Sequence, residues 1–100
     1  MEKVEILVIG KHPEIMKTIL RLINNKPDWN GTLAFSADEA IDCNKSVACQ
    51  VVLLGAGLST AEAQQVNDYF TVPVVQHYGG GSGLLYAEVY QALGLRGLTQ

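Results

Sequence analysis

Charge, sulfur and aromatic rings are all scarce in this sequence. Of its 100 residues 17% are charged and 7% aromatic, with two cysteines, three prolines and one tryptophan. No cluster of cations is present: seven Lys and Arg are scattered among ten Asp and Glu, giving a formal charge of −3. A nucleic-acid surface gathers its cations on one face, so no nucleic-acid partner is expected. No run approaches the roughly 18 apolar residues that cross a bilayer, so no membrane partner is expected. The opening MEKVEILVIGKHPEI lacks the basic start, apolar stretch and small-residue cleavage site of a secretory signal. The cytoplasm is the expected location. Cys43 and Cys49 stand six positions apart, which is neither a CxxC nor a zinc spacing. Reduced, mostly buried thiols are expected, with no disulfide, no metal site and no cofactor.

Apolar residues, by contrast, make up 48% of the chain. That is enough for a core and argues against disorder. The length suits one domain, residues 1–100, and excludes a separate substrate domain.

The run Val4 to Gly10 is almost continuously apolar and rich in β-branched residues, as a strand buried on both faces must be. Pro13 suits the first turn of a helix. Ile15, Met16, Ile19, Leu20, Leu22 and Ile23 then fall on one helical face, and Asn24, Asn25 and Pro27 stop it. Thr32 to Phe35 reads as a short strand after the Asn30-Gly31 turn. Ser36 to Glu39 (SADE) is a capping box that opens a helix with Ala37, Ala40 and Ile41 inward. Cys49 to Leu54 is a third strand, broken by Gly55-Ala56-Gly57. A second capping box, Ser59 to Glu62, opens a helix to about Phe70, with Ala63, Val66, Tyr69 and Phe70 as core candidates. Val72 to Gln76 is a fourth strand, with Pro73 at its start or on an edge.

The last segment has two readings. Ser82 as cap and Gly94 as stop make it a helix. Alternatively, Val72–Tyr78 and Leu84–Tyr90 form a hairpin around the glycines. Alternation is poor in LLYAEVY, which favours the helix. Four strand–helix alternations point to an α/β fold: a three-layer open parallel sheet of flavodoxin-like type, in strand order 2-1-3-4.

In such sheets ligands bind beyond the carboxyl ends of the strands. That crest is built from Gly10-Lys11-His12, Ala34 to Ser36, Gly55 to Gly57 and His77 to Ser82. Both histidines and Lys11 fall on it. Glycine amides and helix N-termini favour anions. Lys11, His12, His77, Gly79, Gly80, Gly81 and Ser82 are therefore candidate ligands for a small anion or phosphate, with the Gly79–Gly83 loop at the centre. The loop matches neither a Walker motif nor a dinucleotide fingerprint. No carboxylate is apparent on the crest to orient either histidine.

ILVIGKHPEIMKTILRLI, DWNGTLAFSADEAI and VVLLGAGLS resemble, from Val4 to Leu58, the receiver domains of bacterial two-component response regulators. The resemblance implies a receiver-like fold and a signalling role. It also marks departures. A receiver holds Mg²⁺ with an acidic pair after its first strand, which maps onto Gly10 and Lys11. Its phosphoryl-accepting aspartate maps onto Gly55, and its switch Ser or Thr onto His77 or Tyr78. The fifth strand and its lysine have no counterpart, leaving about twenty residues missing against ordinary βα unit sizes. Magnesium needs oxygen ligands, and glycine offers no nucleophile. The resemblance therefore implies a degenerate, truncated pseudo-receiver that is not an enzyme. A second resemblance, to the IIB subunits of sugar phosphotransferase systems, lacks the nucleophilic cysteine after the first strand.

Two further expectations follow. Leu84, Leu85, Tyr86, Val89, Tyr90 and Leu93 cover nearly every face of the last helix. Such a helix must be covered, either by a partner protein or second copy, which makes these residues a candidate interface, or by folding across the sheet edge within one monomer. A histidine phosphocarrier using His12 or His77 is the remaining alternative.

Overall fold

The structure, a computed structural model, describes residues 4–55, 57–77 and 82–95. Its elements run β1 (Val4–Ile9), α1 (Pro13–Asn24), β2 (Trp29–Ala34), α2 (Ala37–Ser46), β3 (Val51–Leu54), α3 (Thr60–Tyr69), β4 (Val74–Gln76) and α4 (Ser82–Leu95). The sheet is parallel throughout, in the expected order β2-β1-β3-β4. The β-branched runs of β1 and β3 take the centre because both faces there are covered. Ile6, Val8, Val51 and Leu53 point to one face, and Leu7, Ile9, Val52 and Leu54 to the other.

Helices α1 and α4 cover the first face, and α2 and α3 the second. The α1 stripe buries Met16, Ile19 and Ile23, whereas Ile15 stays 44% exposed at the margin of that stripe. Both capping boxes form at the serine: Ser36 Oγ accepts from Glu39 N–H and Ser59 Oγ from Glu62 N–H, each at 3.1 Å. Ala37, Ala40, Val66 and Phe70 are buried as expected, but Tyr69 is 41% exposed. Tyr69 stacks edge-on against Phe70, which fills the core position itself. The strands begin elsewhere than the pattern suggests. Trp29 starts β2 because its ring reaches the α1–α4 core, and β4 begins only after Pro73.

The last segment is a helix and not a hairpin. It corrects the interface expectation. Leu85, Val89 and Leu93 lie inside this chain's own core, with Leu85 and Val89 fully buried, so they cannot form a contact surface. The reason is placement: α4 returns on the α1 face, beside α1 and over β3 and β4, and joins the core that holds Ile6, Val8, Val51 and Leu53. A second side of α4 is used as well. Tyr86 donates from its hydroxyl to the Leu22 carbonyl (2.9 Å), and Tyr86 and Tyr90 pack on Trp29 at ring-centre distances of 5.7 and 5.2 Å. The Lys26 ammonium lies 4.4 Å from the Tyr86 ring centre, a cation–π contact that seals the cluster. Leu84 and Tyr90 remain more than half exposed.

Candidate functional site

Sheet hydrogen bonding continues past the strand ends and fixes the crest. Gly10 N–H donates to Ala34 O (3.1 Å), Gly55 N–H to Ile9 O (2.7 Å) and His77 N–H to Leu54 O (2.8 Å). Gly10, Gly55 and His77 are buried there, while Lys11 and His12 rise into solvent.

Lys11 stands at the middle of the crest. Its ammonium donates to the Phe35 carbonyl (2.6 Å) and pairs with the Glu62 carboxylate (3.0 Å). It thereby ties the ends of β1 and β2 to the first turn of α3. Glu62 also accepts from Ala37 N–H at 3.4 Å, the first residue of α2. The hydrogen bond from Lys11 is the main reason the Glu62 carboxyl titrates below its ordinary value, reinforced by Ala37 N–H and by the Lys11 charge. In the first capping box Glu39 reaches back to Phe35 N–H, but Glu62 turns to Lys11 instead.

Two glycines make room for this arrangement. Gly57 has φ +95°, and a Cβ there would stand 2.8 Å from Lys11 Cβ and 3.3 Å from the His12 ring. A Cβ on Gly55 would lie 3.3 Å from the Ile9 carbonyl oxygen. His12 is the exposed N-cap of α1 and makes no capping hydrogen bond.

The second feature is at the end of β4. His77 is 3% exposed, the one buried polar side chain among the described residues. Its Nδ1 faces the Glu88 carboxylate of α4 at hydrogen-bond distance. This corrects the expectation of a crest without carboxylates: Glu62 orients Lys11, and Glu88 orients His77. One signal was available for Glu88. It is the single charge between Thr71 and Gly94, and a lone charge on an otherwise apolar helix calls for a partner.

Of the candidate anion ligands, Lys11 and His77 therefore face carboxylates within the chain, and His12 stands apart from both contacts. Gly79, Gly80 and Gly81 lie outside the described residues, and Ser82 begins α4. Magnesium requires oxygen ligands, whereas the Lys11 ammonium already occupies Phe35 O and Glu62 here, and the described residues contain no cluster of three His, Cys, Asp or Glu able to hold a metal. Away from the crest, an apolar concavity of about 170 Å³ lies among Leu7, Thr32, Cys43, Val47 and Cys49. Burial, and then Glu39 and Asp42, push the Cys43 thiol above its ordinary value, which leaves it a poor nucleophile. No helix among the described residues is long and apolar enough to cross a membrane.

No family model matches the sequence, and no curated protein matches it. Solved structures do share its fold. NtrX from Brucella abortus, solved with ADP, superposes with a TM-score of 0.67 at 14% identity over 96% of this chain. This chain spans 27% of that NtrX chain. A fusion bearing the yeast Spc42 trimeric coiled coil gives a TM-score of 0.67 at 13% identity, covering 97% of this chain and 81% of the other. The signal receiver domain of NarL from Mycobacterium tuberculosis gives 0.55 at 24% identity, covering 94% and 78%. At these identities the likeness is one of fold: a receiver-like, flavodoxin-type parallel sheet.

Proposed function

We propose that this chain is a non-enzymatic, receiver-like regulatory module whose crest is held in one state by an internal ion pair instead of being switched by phosphorylation. One observation carries the reading. The Lys11 ammonium is bound to Phe35 O and Glu62 at the mouth of the β1–β3 crest, and the residue that follows β3 is Gly55. Phosphoryl transfer to a receiver needs a metal to neutralise the phosphate and a carboxylate to accept it. Here a protein cation stands in the first place and backbone in the second. The likeness to NtrX and to the NarL receiver domain supports the signalling part of the reading. The module would act through contacts with protein partners, its fold supplying a fixed surface.

The test is exposure of the purified chain to a small acyl phosphate with and without magnesium, read by intact mass at near-neutral pH. No phosphoryl adduct is expected in either condition. A magnesium-dependent adduct overturns the proposal. An adduct that disappears in His77→Ala would support the phosphocarrier alternative, with Glu88 holding Nδ1 so that Nε2 accepts the group.

A further inference from the structure

The sheet has two edges, and the chain treats them differently. At the β2 edge, Asp28 O and Ala34 O accept from β1 and its extension, so Trp29, Gly31, Leu33 and Phe35 turn their backbone outward. Most of those N–H groups are taken. Trp29 N–H donates to Lys26 O (3.1 Å), Gly31 N–H to the Asn24 side chain (3.0 Å), and Phe35 N–H to Glu39. This edge is plugged by its own neighbours.

The β4 edge is not. Pro73 O accepts from Val52 N–H (3.0 Å) and His77 N–H donates to Leu54 O (2.8 Å), so Val74 and Gln76 turn their N–H and C=O groups away from β3. Among the described residues nothing bonds to them. β4 is short, three residues, but among the described residues the other usual protections of an edge, a lysine or an outward-facing proline, are absent. Pro73 stands on the register that faces β3, so its missing N–H blunts the wrong side. No Lys or Arg lies between Thr71 and Gly94, and the one charge there, Glu88, is engaged by His77. Val74 and Val75 are half-buried, one on each face of the sheet.

We propose that this edge is a self-association site, where β4 of a second copy adds antiparallel to β4 across a two-fold axis and continues the sheet. The proposal rests on the interaction-module reading and names the partner. Charge favours a second copy as the occupant. The chain is acidic overall, yet the strand that would meet its twin is uncharged, so the two copies approach there without like-charge repulsion. Each copy offers the outward N–H and C=O of Val74 and Gln76, so Val74 of one pairs with Gln76 of the other through about four backbone hydrogen bonds. The second chain also covers the exposed halves of Val74 and Val75.

The experiment is sedimentation of the full chain from about 10 μM to about 1 mM, with hydrogen exchange at both ends of the range. A concentration-dependent dimer is expected, with the Val74 and Gln76 amides protected only at high concentration. Gln76→Pro removes an outward N–H and should abolish the dimer while far-UV circular dichroism is unchanged. Gln76→Lys, which keeps the backbone, should weaken it at least roughly tenfold. Tyr90→Glu, on the exposed side of α4, should leave it intact. A monomer throughout the range overturns the proposal. So does a dimer that leaves those amides unprotected, one that survives Gln76→Pro, or one lost in Tyr90→Glu alone. None of these readouts involves phosphate or magnesium, so they stand apart from the phosphorylation test.

Discussion

Leu84 and Leu85 are adjacent in sequence and opposite in environment, which makes them a sharp test of how α4 is seated. Leu85 is fully buried on the β1–β3 face, and Leu84 is 51% exposed. Truncating Leu85 to Ala removes buried methyl groups and leaves a cavity that the surrounding core closes only in part. That costs about 2–5 kcal/mol. At about 4–8 °C per kcal/mol for a domain of this size, the melting temperature should fall by about 8–40 °C. Leu84→Ala forfeits about half of a leucine's burial and gains a little helix propensity, so its cost should stay near or below about 1 kcal/mol. Leu85→Glu would bury a carboxylate without a partner and should unfold a chain with only about 5–15 kcal/mol in hand. Urea unfolding followed by circular dichroism measures all three. Equal losses for Leu84→Ala and Leu85→Ala, or a larger loss for Leu84→Ala, would show that α4 is rotated or undocked, and the core assignment would fail.

Three further outcomes are expected. Glu88→Ala strips the buried His77 of its carboxylate and should cost about 1–3 kcal/mol, with Glu88→Gln recovering part of the loss because an acceptor remains; urea midpoints of the two variants decide this. Gly57→Ala places a Cβ 2.8 Å from Lys11 at φ +95° and should cost about 1–3 kcal/mol, and thermal unfolding at the wild-type level would refute the packing around Lys11. The Glu62 carboxyl is held below its unfolded value of 4.5, chiefly by Lys11, so its contribution is present above that pH and is lost as pH falls through the lower folded value. Stability below pH 4.5 should therefore decline more steeply in the wild type than in Glu62→Gln, and parallel profiles would contradict the pairing.

The fold was largely legible because its signals are local and repeated. Buried runs at Val4 to Gly10 and Cys49 to Leu54 mark central strands, and the two Ser-x-x-Glu boxes mark helix starts. Right-handed crossovers then leave few strand orders. The site was less legible, for a reason of direction. A capping-box glutamate is expected to turn back to its own helix, and Glu39 does so, but the same pattern gives no sign that Glu62 turns outward to Lys11. Periodicity left α4 open for a related reason. Apolar residues on every face fit either a missing partner or cover within the monomer, and the helix is covered on several sides within one chain. Leu85 and Val89 meet the sheet, Tyr86 and Tyr90 meet Trp29, and Glu88 meets His77. A single-sequence pattern counts apolar faces but does not say how many neighbours the topology supplies.

Under the proposed function the Lys11 ammonium, held by Phe35 O and Glu62, closes the crest to a metal ion. Magnesium titration followed residue by residue in ¹H–¹⁵N spectra tests it most directly. The amides of Gly10, Lys11, Gly55 and Glu62 should stay unshifted through concentrations that fill ordinary magnesium sites. Saturable shifts centred on those four residues would mean that the crest still coordinates the ion and that the Lys11–Glu62 tether does not close it.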